Sequence, residues 1–107
     1  MAASLALDPY IVTSLMPDLV GHDKQPSAFL VYLYLWSRGE ESRDGCVVVS
    51  HQRMSEDTGL SKSAVQAAGR TLSRRRLIRV ERESITAVPS YETLRPWQKK
   101  SARSVRR

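Results

Sequence analysis

Between positions 62 and 74 the chain carries Lys62, Ser63, Gln66, Ala67, Arg70 and Arg74, interleaved with Val65, Ala68 and Leu72. On a helix the three apolar residues share one side and the polar set shares the other. Such a polar face has the donors that nucleic acid requires. Cations and backbone amides suit phosphates, whereas forked guanidinium groups and side-chain amides suit base edges. Gln66 and Arg70 lie one turn apart and are long enough to reach bases: glutamine matches adenine N6 and N7, and arginine matches guanine O6 and N7. Lys62 and Ser63, at the positive helix N-terminus, suit a phosphate or a base at a groove edge.

The residues just before this segment must aim it. Ser50 is placed to cap a helix that starts at His51, Gly59 to end it in a left-handed residue, and Ser61 to cap the next helix two residues later. Helices joined so closely cross steeply, leaving the outer face of the second one free. Ser61 is read as a cap rather than a contact. His51, Gln52 and Arg53 open the first helix, where a surface glutamine or arginine is bland by default and an exposed imidazole is the plainer reading of His51. In the run Arg74-Arg75-Arg76, at least one residue is expected to serve the helix C-terminus or pack its stem.

The remaining segments build a scaffold around this pair. Pro26-Ser27 opens a helix over 28–37, apolar and aromatic nearly all round and stopped by Gly39. Either a partner or the N-terminal segment should cover it. Residues 10–15 fit a short strand or a helical turn ended by Met16-Pro17, and 21–25 form a polar connector. Asp44-Gly45 is a turn, and Cys46-Val47-Val48-Val49 is a buried strand in which Cys46 counts as a small apolar residue. The second helix of the pair runs from 62 to about 75. Leu77-Ile78-Arg79-Val80-Glu81 and Ser84-Ile85-Thr86-Ala87-Val88 read as a hairpin with Arg82-Glu83 at its tip. Pro89 interrupts the second strand and residues 91–97 pack back, with Trp97 as an anchor. Arg79 and Arg82 offer cations from this hairpin, opposed by Glu81 and Glu83.

Charge is divided along the chain. Residues 1–57 hold four cations against eight acids, a net of −4, and residues 58–107 hold thirteen against three, a net of +10. A protein so polarised attracts and orients a polyanion, although a basic solvated surface with a loose tail fits the same charges. Arg95, Lys99, Lys100, Arg103, Arg106 and Arg107 give the last stretch six cations and no acid. It reads as a disordered tail that follows phosphates without specificity, or as a solubilising appendage or processing scar. The chain is long enough for one modest core. It lacks a membrane-length apolar run, a secretory leader and a disulfide pair, which implies a cytoplasmic setting. His22 and His51 lie far apart, no spacing suits zinc, and no glycine loop cradles a phosphate. No catalytic residue, metal, cofactor or small-molecule ligand is expected, and no membrane partner.

The aromatic helix Phe29-Leu30-Val31-Tyr32-Leu33-Tyr34-Leu35, the turn Thr58-Gly59-Leu60-Ser61 and the run from Val65-Gln66 to Leu72 and Leu77-Ile78 together resemble the winged helix-turn-helix family. They are most similar to small bacterial and phage regulators and to the N-terminal modules of plasmid or phage replication initiators. The resemblance covers roughly residues 27–88. It implies an α+β, mainly α, fold with a three-helix core and a short β-hairpin wing over 27–97, an N-terminal segment 1–26 packed on it, and a tail 98–107. It also implies binding of double-stranded DNA at the nucleoid, with the helix from 62 in the major groove and His51, Gln52 and Arg53 as candidates for contacts to the DNA backbone, by a homodimer, since one small reader covers few base pairs. Transcriptional regulation is the first expected role, replication initiation or control the second, and a protein-docking module the rival. Two positions depart from the family pattern. Gly69 stands where a leucine or isoleucine is usually buried, at a cost of about 1 kcal/mol relative to alanine in a helix interior. Arg76 stands where the helix usually ends in glycine.

Overall fold

The computed structural model describes residues 4–98 and is a mainly helical α+β domain. An N-terminal helical segment (Ile11–Leu15 and Pro17–His22) leads to α1 (Pro26–Glu40), β1 (Cys46–Val48), α2 (His51–Thr58) and α3 (Lys62–Arg74). Strands β2 (Ile78–Glu81) and β3 (Ser90–Thr93) follow, then a single 3₁₀ turn (Pro96–Gln98). The three strands form an antiparallel sheet in the order β1-β3-β2, with Tyr91 opposite both Val47 and Val80. Of the six cations expected in the basic tail, Arg95 is instead held by Glu40 at 3.2 Å, and of residues 98–107 only Gln98 lies within the described residues.

The open choice at residues 10–15 resolves as helix, and Pro17 does not end it. Proline lacks an N–H and its ring clashes with the carbonyl four residues back, which breaks an ordinary α-helix. Here the coil widens to π pitch, with the Met16 N–H reaching Ile11 and the Asp23 N–H reaching Asp18, and it continues to His22. The polar connector is correspondingly shorter than expected. The segment buries Ile11, Leu15 and Leu19, and the Trp36 indole donates to the Ala6 carbonyl at 2.9 Å.

Helix α1 therefore has its cover from within the chain. Ala28, Phe29, Val31, Tyr32, Leu35 and Trp36 are buried, against the N-terminal segment, α3 and β3. The Tyr32 hydroxyl donates to Leu94 O at 2.9 Å, tying α1 to the end of β3. Gly39 does not stop the helix, which runs one residue past it. A Cβ at Gly39 would stand 3.1 Å from the Gly45 carbonyl, so glycine there admits the turn that leads into β1.

The hairpin is the main correction. Residues 84–88 form a loop, and β3 begins at Ser90. A central strand must hydrogen-bond on both edges, and Pro89 has no N–H to contribute. The strand that pairs with both β1 and β2 therefore starts after it. The β-prone stretch Ser84-Ile85-Thr86-Ala87-Val88 has no strand beside it, and Ile85 is 89% exposed. Tyr91, expected to pack back from outside the sheet, is its buried centre at 3% exposure.

The two ends of the described chain meet. The Tyr10 and Trp97 rings stack with centroids 4.5 Å apart, and Asp8 accepts from Trp97 Nε1 at 2.8 Å and from Gln98 Nε2 at 2.6 Å. Arg75 closes α3 onto the N-terminal segment by pairing with Asp18 and, at 2.5 Å, with Asp23. Hydrogen bonds from Trp97, His22 and Tyr34 hold the Asp8, Asp23 and Asp57 carboxyls, respectively, below their ordinary value of 3.8. A depressed folded value stabilises the fold at pH above the unfolded value, and that stabilisation is lost as the pH falls further. The expected result is a thermal midpoint that drops as the pH falls below 3.8, with a smaller drop in Asp8→Asn.

Helix α3 ends without glycine. Arg76 takes φ 60°, the Leu77 N–H bonds Leu72 O at 2.9 Å, and the Arg76 N–H bonds Ser73 O at 3.0 Å. This is the six-to-one and five-to-two pair of a Schellman cap, built on a residue that a Cβ penalises in that conformation. Arg76→Gly is expected to stabilise the domain by about 0.5–1 kcal/mol once the greater unfolded-state entropy of glycine is set against the relieved strain. Thermal melting checks it.

Candidate nucleic-acid interface

Local hydrogen bonds set the angle of α3. Ser50 Oγ accepts the Arg53 N–H at 3.0 Å, Gly59 sits at φ 83°, and Ser61 Oγ accepts the Ala64 N–H at 3.1 Å. Between the caps, Ser55 Oγ donates to Leu60 O at 2.6 Å and the Leu60 N–H donates to Thr58 Oγ1 at 3.2 Å. With its polar groups satisfied, the turn can hold Leu60 against the core. Val65, Ala68 and Leu72 point inward as their spacing predicts, joined by Thr71.

The opposite side of α3 carries Lys62, Ser63, Arg70 and Arg74, all exposed, with Gln66 and Ala67 half-buried. Twelve residues at about 1.5 Å rise place Lys62 and Arg74 about 18 Å apart. None of these three cations forms an ion pair among the described residues. Five arginines elsewhere do: Arg38 and Arg53 with Asp57, Arg75 with Asp18 and Asp23, Arg79 with Glu92, and Arg95 with Glu40, whereas Lys24, Arg43, Arg76 and Arg82 have no such pair among the described residues.

A cleft of about 450 Å³ runs between α3 and β2. Gln66, Arg70 and Ser73 line it from α3, His51 from α2, Val80 and Arg82 from β2 and the loop after it, and Tyr91 from β3. Gln66 Nε2 and His51 Nδ1 lie 3.4 Å apart, so the amide at the centre of the face leans on the imidazole. The Arg82 guanidinium donates to Ile85 O at 3.2 Å, folding the loop back towards the cleft.

Three expected site residues stand apart from this cluster. Arg53 turns along α2 to Asp57 at 3.1 Å, and Gln52 Nε2 turns to Glu56 at 2.9 Å. Arg79 pairs with Glu92 at 3.0 Å, and strand alternation puts it on the sheet face opposite Val80 and the cleft. Ser73 and Tyr91 were not among the expected contacts. Ser73 lies seven residues after Gln66, a helical spacing that reveals it, whereas Tyr91 was hidden by the misplaced strand.

Gly69 lies in the α3 interior and opens on this cleft. No neighbouring helix crowds it, since an added Cβ would meet nothing within 4 Å. This glycine thus leaves a hollow in the side of the cleft.

Other candidate chemistry is weaker. Asp18, His22 and Asp23 lie close enough to hold an ion, but both carboxylates already accept from Arg75. Burial, with Asp44 next in weight, raises the half-buried Cys46 thiol above its ordinary value, the opposite of an activated nucleophile. No helix among the described residues is long and apolar enough to cross a membrane.

Comparison with protein-family models, curated proteins and solved structures finds no match to this chain.

Burial lowers the His51 pKa below its ordinary 6.5, and Arg82 and then Lys62 add to the effect. A depressed folded value means that the unfolded chain takes up the proton first, so this group costs stability as the pH falls through 6.5. The expected ring titration by NMR has its midpoint below 6.5, moving up in Arg82→Ala.

Proposed function

We propose that this chain is a winged helix-turn-helix domain that binds double-stranded DNA and regulates transcription. In this reading α2 and α3 are the helix-turn-helix, α3 lies in the major groove, and the loop of residues 82–89 is the wing. The strand order β1-β3-β2 and the capped turn at Gly59 support it. The observation that carries it is the grouping of charge: among the described residues Lys62, Arg70 and Arg74 are exposed on one helix without an acid partner, whereas the other unpaired cations, Lys24, Arg43, Arg76 and Arg82, lie singly outside helices and strands. Three exposed cations along about 18 Å of one helix repel one another only weakly in salt, and together they are placed to meet a polyanion.

Gln66 and Arg70 read bases, Lys62, Ser63 and Arg74 hold phosphates, and Arg82 contributes from the wing. Arg53 and Arg79 are spent on internal ion pairs and add little. A homodimer doubles the site, because a single α3 spans few base pairs.

A second reading has its own observation. Val48 at 64%, Ile85 at 89% and Val88 at 51% exposure make the wing side apolar, which suits a protein-docking module. Salt separates the two readings: DNA binding falls steeply with ionic strength, and apolar docking hardly changes.

Arg70→Ala and Gln66→Ala are each expected to cost about 1–3 kcal/mol on a selected duplex and to relax its sequence preference. Arg74→Ala is expected to weaken all duplexes alike and to lower the salt slope by about one. Removing residues 98–107 is expected to weaken all duplexes alike and, with five cations gone, to lower the salt slope by more than Arg74→Ala does. Titration of selected and random duplexes at several salt concentrations reads all four. Unchanged affinity in the Arg70 and Gln66 variants overturns the assignment.

A further inference from the structure

A glycine inside a helix weakens it, and the packing of the described residues supplies no reason for the one at 69. Nothing in the fold occupies the space that a side chain there would take. That space forms part of the cleft between α3 and β2, whose lining includes two arginines and no carboxylate. Its character is mixed. Val80, with the nearly buried Tyr91 behind it, forms an apolar wall, the α3 backbone at Gly69 forms a floor without a side chain, and Arg82 supplies charge beside Arg70. A bare anion would leave the apolar wall wet, and an apolar peptide would strand two guanidinium groups without counter-charge. A deoxyribose with its phosphodiester satisfies both.

We propose that one strand of the bound duplex runs through this cleft, its sugar against Val80 and its phosphate at Arg82, and that Gly69 is the residue that admits it. This rests on the DNA-binding reading and adds a second point of contact to it, independent of base sequence. Substituting leucine fills the hollow against the apolar wall, which strengthens the fold while blocking the strand.

The test compares the full-length chain with Gly69→Leu and Gly69→Ala in thermal melting and in titration of two duplexes, one selected by the unsubstituted protein and one of random sequence. Gly69→Leu is expected to raise the melting temperature by about 4–8 °C and to weaken both duplexes at least tenfold. Gly69→Ala is expected to raise melting similarly and weaken both less. Variants that melt higher yet bind both duplexes as the parent does overturn the proposal and leave the DNA-binding reading standing. Loss confined to the selected duplex also overturns it, because the cleft would then be reading a base. If the leucine variant does not fold, the alanine variant decides by the same two readouts. A parent that binds neither duplex at low salt removes the DNA-binding reading itself, and this proposal with it.

Discussion

The geometry of the domain depends on how four residues, Thr58 to Ser61, reverse the chain between α2 and α3. Gly59 supplies a left-handed residue at no Cβ cost, Leu60 plugs the turn, and Ser61 starts the next helix before the chain can drift. The crossing of the two helices is thus fixed by local chemistry. Once it is fixed, burying Val65, Ala68, Thr71 and Leu72 leaves α3 one way to face, and Lys62, Arg70 and Arg74 turn outward as a consequence. Placement of the cations is therefore a by-product of core packing. That is why a short helix can hold a charged row in register.

Charge is managed differently on the rest of the surface. Arg75 is committed to two aspartates, and in doing so fastens the end of α3 to the N-terminal segment. Arg95 lies over the Trp36 ring at 3.9 Å while it pairs with Glu40, so it serves packing as well as charge. Arg38, Arg53, Tyr34 and Asp57 form one network between α1 and α2. Among the described residues, the cations of the second half of the chain that keep no acid partner are those along α3, Arg82 at the wing and Arg76.

Much of the helical part was legible in the residues themselves. Caps and left-handed glycines act over three or four positions, so Ser50, Gly59 and Ser61 declare α2 and the start of α3 directly. The inward stripe of α3 was legible for the same reason. Where partners are distant, the local signal misled. Ile85, Thr86 and Val88 have strand propensity but no strand to pair with, while Ser90 and Tyr91, after a proline, have two. Pro17 suggested a stop, and a π-pitched coil absorbed it. Gly39 suggested another, and its real constraint is the Gly45 carbonyl beside it. Arg79 showed as a free cation because its acid, Glu92, is matched to it only across strands, whereas Asp57, one helical turn after Arg53, was a partner the residues themselves already offered.

The most direct measurement follows backbone amide chemical shifts of the labelled protein as a duplex, drawn from a random pool by its affinity, is added. The account predicts that the largest changes run along one side of 62–74 and around the cleft at His51, Gly69 and Arg82, and collapse at high salt. Changes confined to Val48, Ile85 and Val88 or to α1, or changes that persist undiminished in high salt, would contradict it.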